Sequence, residues 1–335
     1  MTATVAIMGA GSWGTAFAKL VADAGHDAAV WARDPNVVGA INVSRRNPGF
    51  HPNLVLPERV RATEDAAVAL STADFAVLAV PAQSLRQNLQ AWAPHISQDC
   101  VVVSLLKGVE AHSHLRMSEV ITEVTGVAAQ RLAVLSGPNL AAEIAEGQPA
   151  ATTIAGVDES VAERVQHVCG GPRFRPYTTT DVIGTEIGGA AKNIVAVAAG
   201  IAIGLGFGEN AQAALITRGL AEITRLGVRL GADARTFSGL AGMGDLVATC
   251  GSPLSRNRTF GEHIGRGLTV DEASAATRGT CEAFETSRAL LALGEAHDVS
   301  LPITQEVVHV LHYGASPREL VAKLMSRDMK SELPS

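Results

Sequence analysis

The apolar residues of this chain come in two rhythms. In the first half they form short continuous runs: ATVAIMG from Ala3, DAAVWA from Asp27, FAVLAVP from Phe75, VVVSLLK from Val101, LAVLSGP from Leu132 and ATTIAG from Ala151. Runs without polar alternation are the signature of strands buried on both faces of a parallel sheet. Stretches of helical spacing, such as WGTAFAKLVADAG and AHSHLRMSEVITEVTG, lie between them. Strand–helix repetition with right-handed crossovers predicts an α/β fold, an N-terminal Rossmann-like, doubly wound and mostly parallel sheet. From Val182 the strand rhythm stops, and helices are predicted over 182–205, 211–230, 236–247, from 269 onward, and over 282–297, 304–312 and 317–325. The expectation is two domains, 1–181 for the sheet and 182–335 for an all-α substrate-binding half, with a frayed tail after Met325.

Length agrees, since 335 residues are many for a single core. A net charge of −6 argues against non-specific nucleic-acid binding. Cys100, Cys169, Cys250 and Cys281 lie far apart without metal-ligand spacing, so they read as buried thiols and no metal is expected. The N-terminus enters its first strand without a basic n-region or cleavage site, which gives the expectation of a cytoplasmic protein. Residues 182–206 have the length of a membrane span, but Glu186, Lys192 and Asn193 interrupt them. They read as a buried core helix, with no membrane insertion.

Candidate chemistry begins at the first strand. Gly9, Gly11 and Gly14 have the G-x-G-x-x-G spacing between a strand and a helix. The first allows the tight turn, the second lets backbone approach a diphosphate, and the third lets helix pack close to strand. Ser12 and Trp13 fall inside this turn, Trp13 either as core packing or as a wall of the site. After the second strand, where a carboxylate would read a ribose 2′-hydroxyl, the chain has Ala32, Arg33 and Asp34. Arg33 suits a 2′-phosphate and Asp34 suits a helix cap, so NADP(H) is favoured and NAD(H) stays open.

Three further patches bear polar groups where the pattern calls for apolar ones. Lys192 and Asn193 sit mid-helix among alanines, and desolvation of such a lysine lowers its pKa toward proton transfer. Ser255, Arg256 and Asn257 stand in a row after the glycine-rich approach to Asp245, a hydroxyl, a guanidinium and an amide suited to a phosphate; Arg258 reads as facing solvent. Lys107 follows one buried strand, and Gly137 and Asn139 follow another. Both loops point to the crevice at the carboxyl ends of the strands, with helix capping the other reading for Asn139.

Together GAGSWGTA, LLKGVE, SGPNLAAEIAEG, AAKNIVAVAAGIAIGLGFGENAQAALITRGLAEITRLG and FSGLAGMGDLVATCGSPLSRNRTFG resemble the bacterial branch of the NAD(P)-dependent glycerol-3-phosphate dehydrogenase family, in order and over nearly the whole chain. The resemblance implies reversible hydride transfer between NAD(P)H and dihydroxyacetone phosphate, giving sn-glycerol 3-phosphate for phospholipid synthesis. It implies Lys192 as proton donor and acceptor at the C2 oxygen, and Lys107 as a contact to both cofactor and substrate. Gly137, Asn139, Asp245, Ser255, Arg256 and Asn257 are implied substrate contacts, with Arg256 also near the cofactor. Ser12, Trp13, Arg33, Ala141 and Glu282 are implied cofactor contacts. The chain departs from the family where Asn139 replaces a common Thr and Phe50 a usual Tyr. Residues 278–289 also lack the Val-Glu-Gly run, which bears on Glu282.

A ketopantoate-reductase or β-hydroxyacid-dehydrogenase type shares this layout but does not need the Ser255–Arg256–Asn257 cluster. A non-catalytic NADP(H)-sensing or scaffold protein leaves the Lys192–Asn193 pair without a purpose. Homodimer formation is left open.

Overall fold

The computed structural model describes residues 2–277, 281–326, 328–329 and 331. Residues 278–280 of the altered segment and most of the tail beyond Ser326 lie outside the described residues.

Among the described residues, eight strands form one sheet: β1 (Thr4–Met8), β2 (Asp27–Trp31), β3 (Val60–Thr63), β4 (Phe75–Leu78), β5 (Val101–Ser104), β6 (Leu132–Ser136), β7 (Ala150–Ala155) and β8 (Phe174–Thr179). Their order is β3-β2-β1-β4-β5-β6-β7-β8, and every neighbouring pair is parallel except the antiparallel β6 and β7. Crossovers carry helices α1 (Ser12–Asp23), α2 (Pro35–Ser44), α3 (Ala66–Leu70), α4 (Leu85–Trp92), α5 (Met117–Thr125), α6 (Ala141–Ala145) and α7 (Glu159–Cys169). Six strands match the continuous apolar runs. The other two, β3 and β8, are the edges of the sheet, and their buried positions alternate with exposed ones. An edge strand has fewer neighbours to bury it, so its sequence alternates instead of running apolar.

From Val182 every described element is helical: α8 (Val182–Gly204), α9 (Glu209–Arg229), α10 (Asp245–Gly251), α11 (Arg256–Gly265), α12 (Val270–Ala276), α13 (Glu282–Ala296), α14 (Pro302–Tyr313) and α15 (Pro317–Met325). The helix expected over 236–247 is instead three short pieces, a 3₁₀ turn (Ala234–Ser238), a π turn (Leu240–Gly244) and α10. Gly239, Gly242 and Gly244 break the α register, and a Cβ on Gly242 would lie 2.2 Å from Phe237 O. Arg256 starts α11, which is capped by Ser255, whose hydroxyl accepts from Arg258 N.

Helix α8 is the spine of this half. All residues from Gly184 to Ala202 are buried. It is long and apolar enough to cross a membrane, yet 89% of its most apolar window is buried inside the fold. It meets α11 along a seam with no side chains. A Cβ on Gly200 would lie 2.0 Å from Arg258 O, and one on Gly204 2.3 Å from Glu262 O. In return, Gly261 faces Val197 O at 2.1 Å and Gly265 faces Ile201 O at 2.3 Å. Glycines four apart share one face of each helix, so the two backbones touch directly. Glu186 ties the same helix to the sheet half, accepting from Arg116 Nη1 at 2.6 Å and from Ser118 N and Oγ at 2.8 and 2.6 Å. Burial raises the Glu186 carboxyl above its ordinary range, and these donors oppose the rise.

Candidate active site

The glycine turn has the form its spacing predicts. Gly9 adopts φ 135°, and a Cβ there would lie 2.5 Å from Ala79 O. A Cβ on Gly14 would lie 2.0 Å from Gly9 O, so α1 packs directly on the end of β1. Gly11 is the N-cap of α1 and has no side chain to cap it; a Cβ there would meet nothing within 4 Å. The turn is closed beneath and open above, with helix amides facing the opening, which fits a dinucleotide diphosphate. Trp13 packs edge-on to Phe17 at 5.7 Å and against Phe174 at 6.5 Å. Its ring N–H is buried without a partner among the described residues, and Trp13 is part of the core packing around the turn.

At the end of β2, Ala32 is buried and Arg33 is exposed. Asp34 accepts from Asn36 N at 2.8 Å as the N-cap of α2, so its carboxylate is engaged in the helix. Ala141 is the first residue of α6 and packs against the core beneath the sheet.

Three elements converge on one carboxylate. Lys107 follows β5, Lys192 lies midway along α8, and Asp245 opens α10 after the π turn. Lys192 Nζ donates to Asp245 Oδ1 and to Thr249 Oγ1, both at 2.6 Å. Lys107 Nζ donates to Asp245 Oδ2 at 2.5 Å and to Gly137 O at 2.8 Å. Lys192 is only 7% exposed and Asp245 1%. Burial pulls the Lys107 ammonium down to about 8, with Asp245 opposing the fall and Lys192 adding to it. Gly137 has φ 152°, and a Cβ there would be 2.9 Å from Thr152 Oγ1, so this position accepts no side chain.

An amide chain runs beside the lysines. Asn193 Nδ2 donates to Lys107 O at 3.4 Å, and Asn257 Nδ2 donates to Asn193 Oδ1 at 2.9 Å. Asn257 Oδ1 in turn accepts from Cys281 Sγ at 3.0 Å and from Ala283 N at 3.3 Å. Arg256, the first residue of α11, is exposed, whereas Ser255 and Asn257 on either side are buried. Glu282 faces the loop after β5: a Cβ on Gly108 would be 2.7 Å from Ala82 Cβ and 3.9 Å from Glu282 Oε2. Burial raises the Glu282 carboxyl, against the pull of the Ala82 amide and Arg256.

Two of the alternative readings do not hold. Asn139 does not cap α6, whose N-cap is Leu140 with no side-chain cap. Its Nδ2 donates instead to Thr152 Oγ1 at 3.1 Å, leaving Oδ1 buried and unpartnered among the described residues. Arg258 does not face solvent; its side chain is 15% exposed and pairs with Glu262 at 2.9 Å. Sequence reasoning also missed Thr249, Thr152, Asn47 and His51. Thr249 was legible, since it stands four residues after Asp245 on one helix face. Thr152 reaches the site only because β7 runs antiparallel beside β6, which no local pattern announces.

A dinucleotide turn and a buried amine held by a carboxylate, on the same carboxyl edge of one sheet, define an NAD(P)-linked oxidoreductase. Comparison with known proteins names the family. Residues 4–162 match the model of the NAD-dependent glycerol-3-phosphate dehydrogenase N-terminus, and residues 181–322 that of its C-terminus. The chain belongs to the NAD-dependent glycerol-3-phosphate dehydrogenase family. It is 56% identical over 329 residues, 98% of either chain, to "Glycerol-3-phosphate dehydrogenase [NAD(P)+]" of Thermobifida fusca. A protein of the same name from Frankia casuarinae is 58% identical over 323 residues, 96% of either chain. The crystal structure of glycerol-3-phosphate dehydrogenase from Coxiella burnetii superimposes with a TM-score of 0.93 at 35% identity, covering 97% of this chain and 99% of that one.

Proposed function

We propose that this protein transfers hydride reversibly between NADPH and dihydroxyacetone phosphate, giving sn-glycerol 3-phosphate for glycerophospholipid synthesis. The observation that carries the reading is the buried Lys192 ammonium, fixed by Asp245 and Thr249 beside a second amine. Reducing a ketone at C2 needs a proton at its oxygen as hydride arrives at its carbon, and the reverse reaction needs that proton removed. Lys192 supplies and retrieves it. Asp245 and Thr249 aim the amine. Lys107 and Arg256 provide positive charge for the substrate phosphate, and Ser255 and Asn257 place it at the N-terminus of α11, where helix amides favour an anion. That cluster favours a phosphorylated substrate over the hydroxyacids of the related reductases.

Gly9, Gly11, Ser12, Trp13 and Gly14 hold the diphosphate of the cofactor, which carries the hydride when bound. Ala141 and Glu282 flank it. Buried Ala32, exposed Arg33 and the engaged Asp34 support a preference for the 2′-phosphorylated cofactor. Four free thiols, three of them buried, support a reducing cytoplasmic setting. The direct test is oxidation of NADPH and of NADH, in parallel, with dihydroxyacetone phosphate. Oxidation of NADPH well ahead of NADH is expected. No oxidation of either sinks the activity, and a preference for NADH sinks the cofactor reading.

A further inference from the structure

Between α2 and β3 the chain folds back onto the glycine turn. Asn47 and His51 form an isolated antiparallel bridge, with His51 N donating to Asn47 O at 2.8 Å. Both side chains are polar and both are buried, at 1% and 7% exposure, although Pro48, Gly49 and Phe50 between them are exposed. Asn47 Nδ2 donates to Ala10 O and to Thr15 Oγ1, both at 2.8 Å. His51 Nε2 lies 2.9 Å from Ser12 O and 3.2 Å from Ser12 Oγ. A carbonyl oxygen only accepts, so Nε2 carries the proton in the first of these contacts.

The two carbonyls they hold matter for what lies on the other side of each peptide. A trans peptide unit is planar, so its C=O and N–H point in opposite directions. Fixing Ala10 O therefore aims Gly11 N–H, and fixing Ser12 O aims Trp13 N–H. These amides stand at the start of α1, where the helix has no internal partner for them and where an anion is bound. A segment serving only to cover α1 would do so with apolar side chains, as Leu56 does nearby. Burying an amide and an imidazole costs free energy unless their hydrogen bonds are made; the donors of both are spent on the turn, while Asn47 Oδ1 is buried without a partner among the described residues.

We propose that Asn47 and His51 are positioning residues for the cofactor diphosphate, setting the direction of the Gly11 and Trp13 amides without touching the cofactor. The inference rests on the reading of residues 9–14 as a nicotinamide dinucleotide turn. It is tested by calorimetric titration of NADPH into wild type, His51→Leu, His51→Gln and Asn47→Asp. Thermal unfolding of each unliganded protein and kcat at saturating NADPH complete the set. Gln places an amide N–H close to the position of His Nε2, whereas Leu fills the space without a donor. Losing such a buried donor is expected to weaken NADPH binding at least about tenfold in His51→Leu and in Asn47→Asp. His51→Gln is expected to stay near wild type, with kcat at saturation little changed throughout. Should His51→Leu fail to fold, Asn47→Asp carries the test. Wild-type affinity in the folded variants overturns the inference, as does equal weakening by Gln and Leu. Wild-type protein that binds neither NADPH nor NADH overturns the dinucleotide reading and this inference together.

Discussion

Lys107 and Lys192 donate to opposite oxygens of a single carboxylate, at 2.5 Å to Oδ2 and 2.6 Å to Oδ1 of Asp245. One amine comes from the sheet edge and the other from the helical spine, so Asp245 sets their separation and joins the two halves of the chain at one buried cluster. A buried ion pair of this kind is costly to desolvate and is kept where geometry matters.

The first expectation concerns the amine assigned to proton transfer. Lys192→Met keeps length and apolar bulk but removes the proton. Turnover should fall by about 10²- to 10⁴-fold, the usual worth of a positioned acid–base group. NADPH should titrate with unchanged affinity. Turnover within a few-fold of wild type takes the proton role away from Lys192.

The second concerns pH. Lys107 titrates at about 8 in the folded protein, against 10.5 for an ordinary lysine. Its charged form attracts a phosphate, so substrate binding is intact below that pH and weakens as pH rises through it. The kcat/KM for dihydroxyacetone phosphate should therefore fall on the alkaline side near pH 8. Stability moves the other way. Between the two values the unfolded chain holds the extra proton, so this group adds stability as pH rises. Lys107→Arg stays charged and should shift the alkaline limb upward. A limb that does not move belongs to another group.

Cofactor choice is checked at the end of β2. Arg33→Ser removes the cation proposed to face a 2′-phosphate and leaves Ala32 and the Asp34 cap in place. The KM for NADPH should rise by roughly tenfold or more, the worth of a charged hydrogen bond, while that for NADH stays level. A parallel rise for both cofactors shows that Arg33 does not discriminate between them.

The glycine seam makes a stability prediction with its own control. A Cβ on Gly261 would lie 2.1 Å from Val197 O, so Gly261→Ala should destabilise the protein by about 1–3 kcal/mol or more. Gly39 lies within α2, and a Cβ there would meet no atom within 4 Å. Gly39→Ala should be neutral or stabilising by up to about 1 kcal/mol, since alanine is the better helix former. Denaturant midpoints for the two variants check both signs. Equal midpoints would mean the helices separate to admit the methyl.

Much of the layout was legible because buried parallel strands advertise themselves as unbroken apolar runs. The edge strands β3 and β8 escaped for the same reason, since half their residues face out. Lys192 and Asn193 stood out as polar residues in an apolar helix, and Asp245 through its glycine-rich approach. What could not be read were relations across the fold. The backbone contact of α8 with α11 depends on four glycines from two segments that each look like ordinary helix. The holding of Ala10 and Ser12 by Asn47 and His51 depends on a loop that carries no motif. Asn139 reads as a crevice residue or a helix cap; its bond to Thr152 could not be read, because Thr152 arrives from an antiparallel neighbour.

The placement of Asp245 also has a temporal side. It lies 53 residues after Lys192 in the chain. On a ribosome making about 5–20 residues per second, Lys192 is polymerised roughly 3–10 s before its counter-ion. All eight strands of the described sheet precede Val182 and are made before either residue. The long apolar helix is thus made after the sheet strands and before its own helical partners. The buried Lys192–Asp245 pair can form only once that later segment has been made.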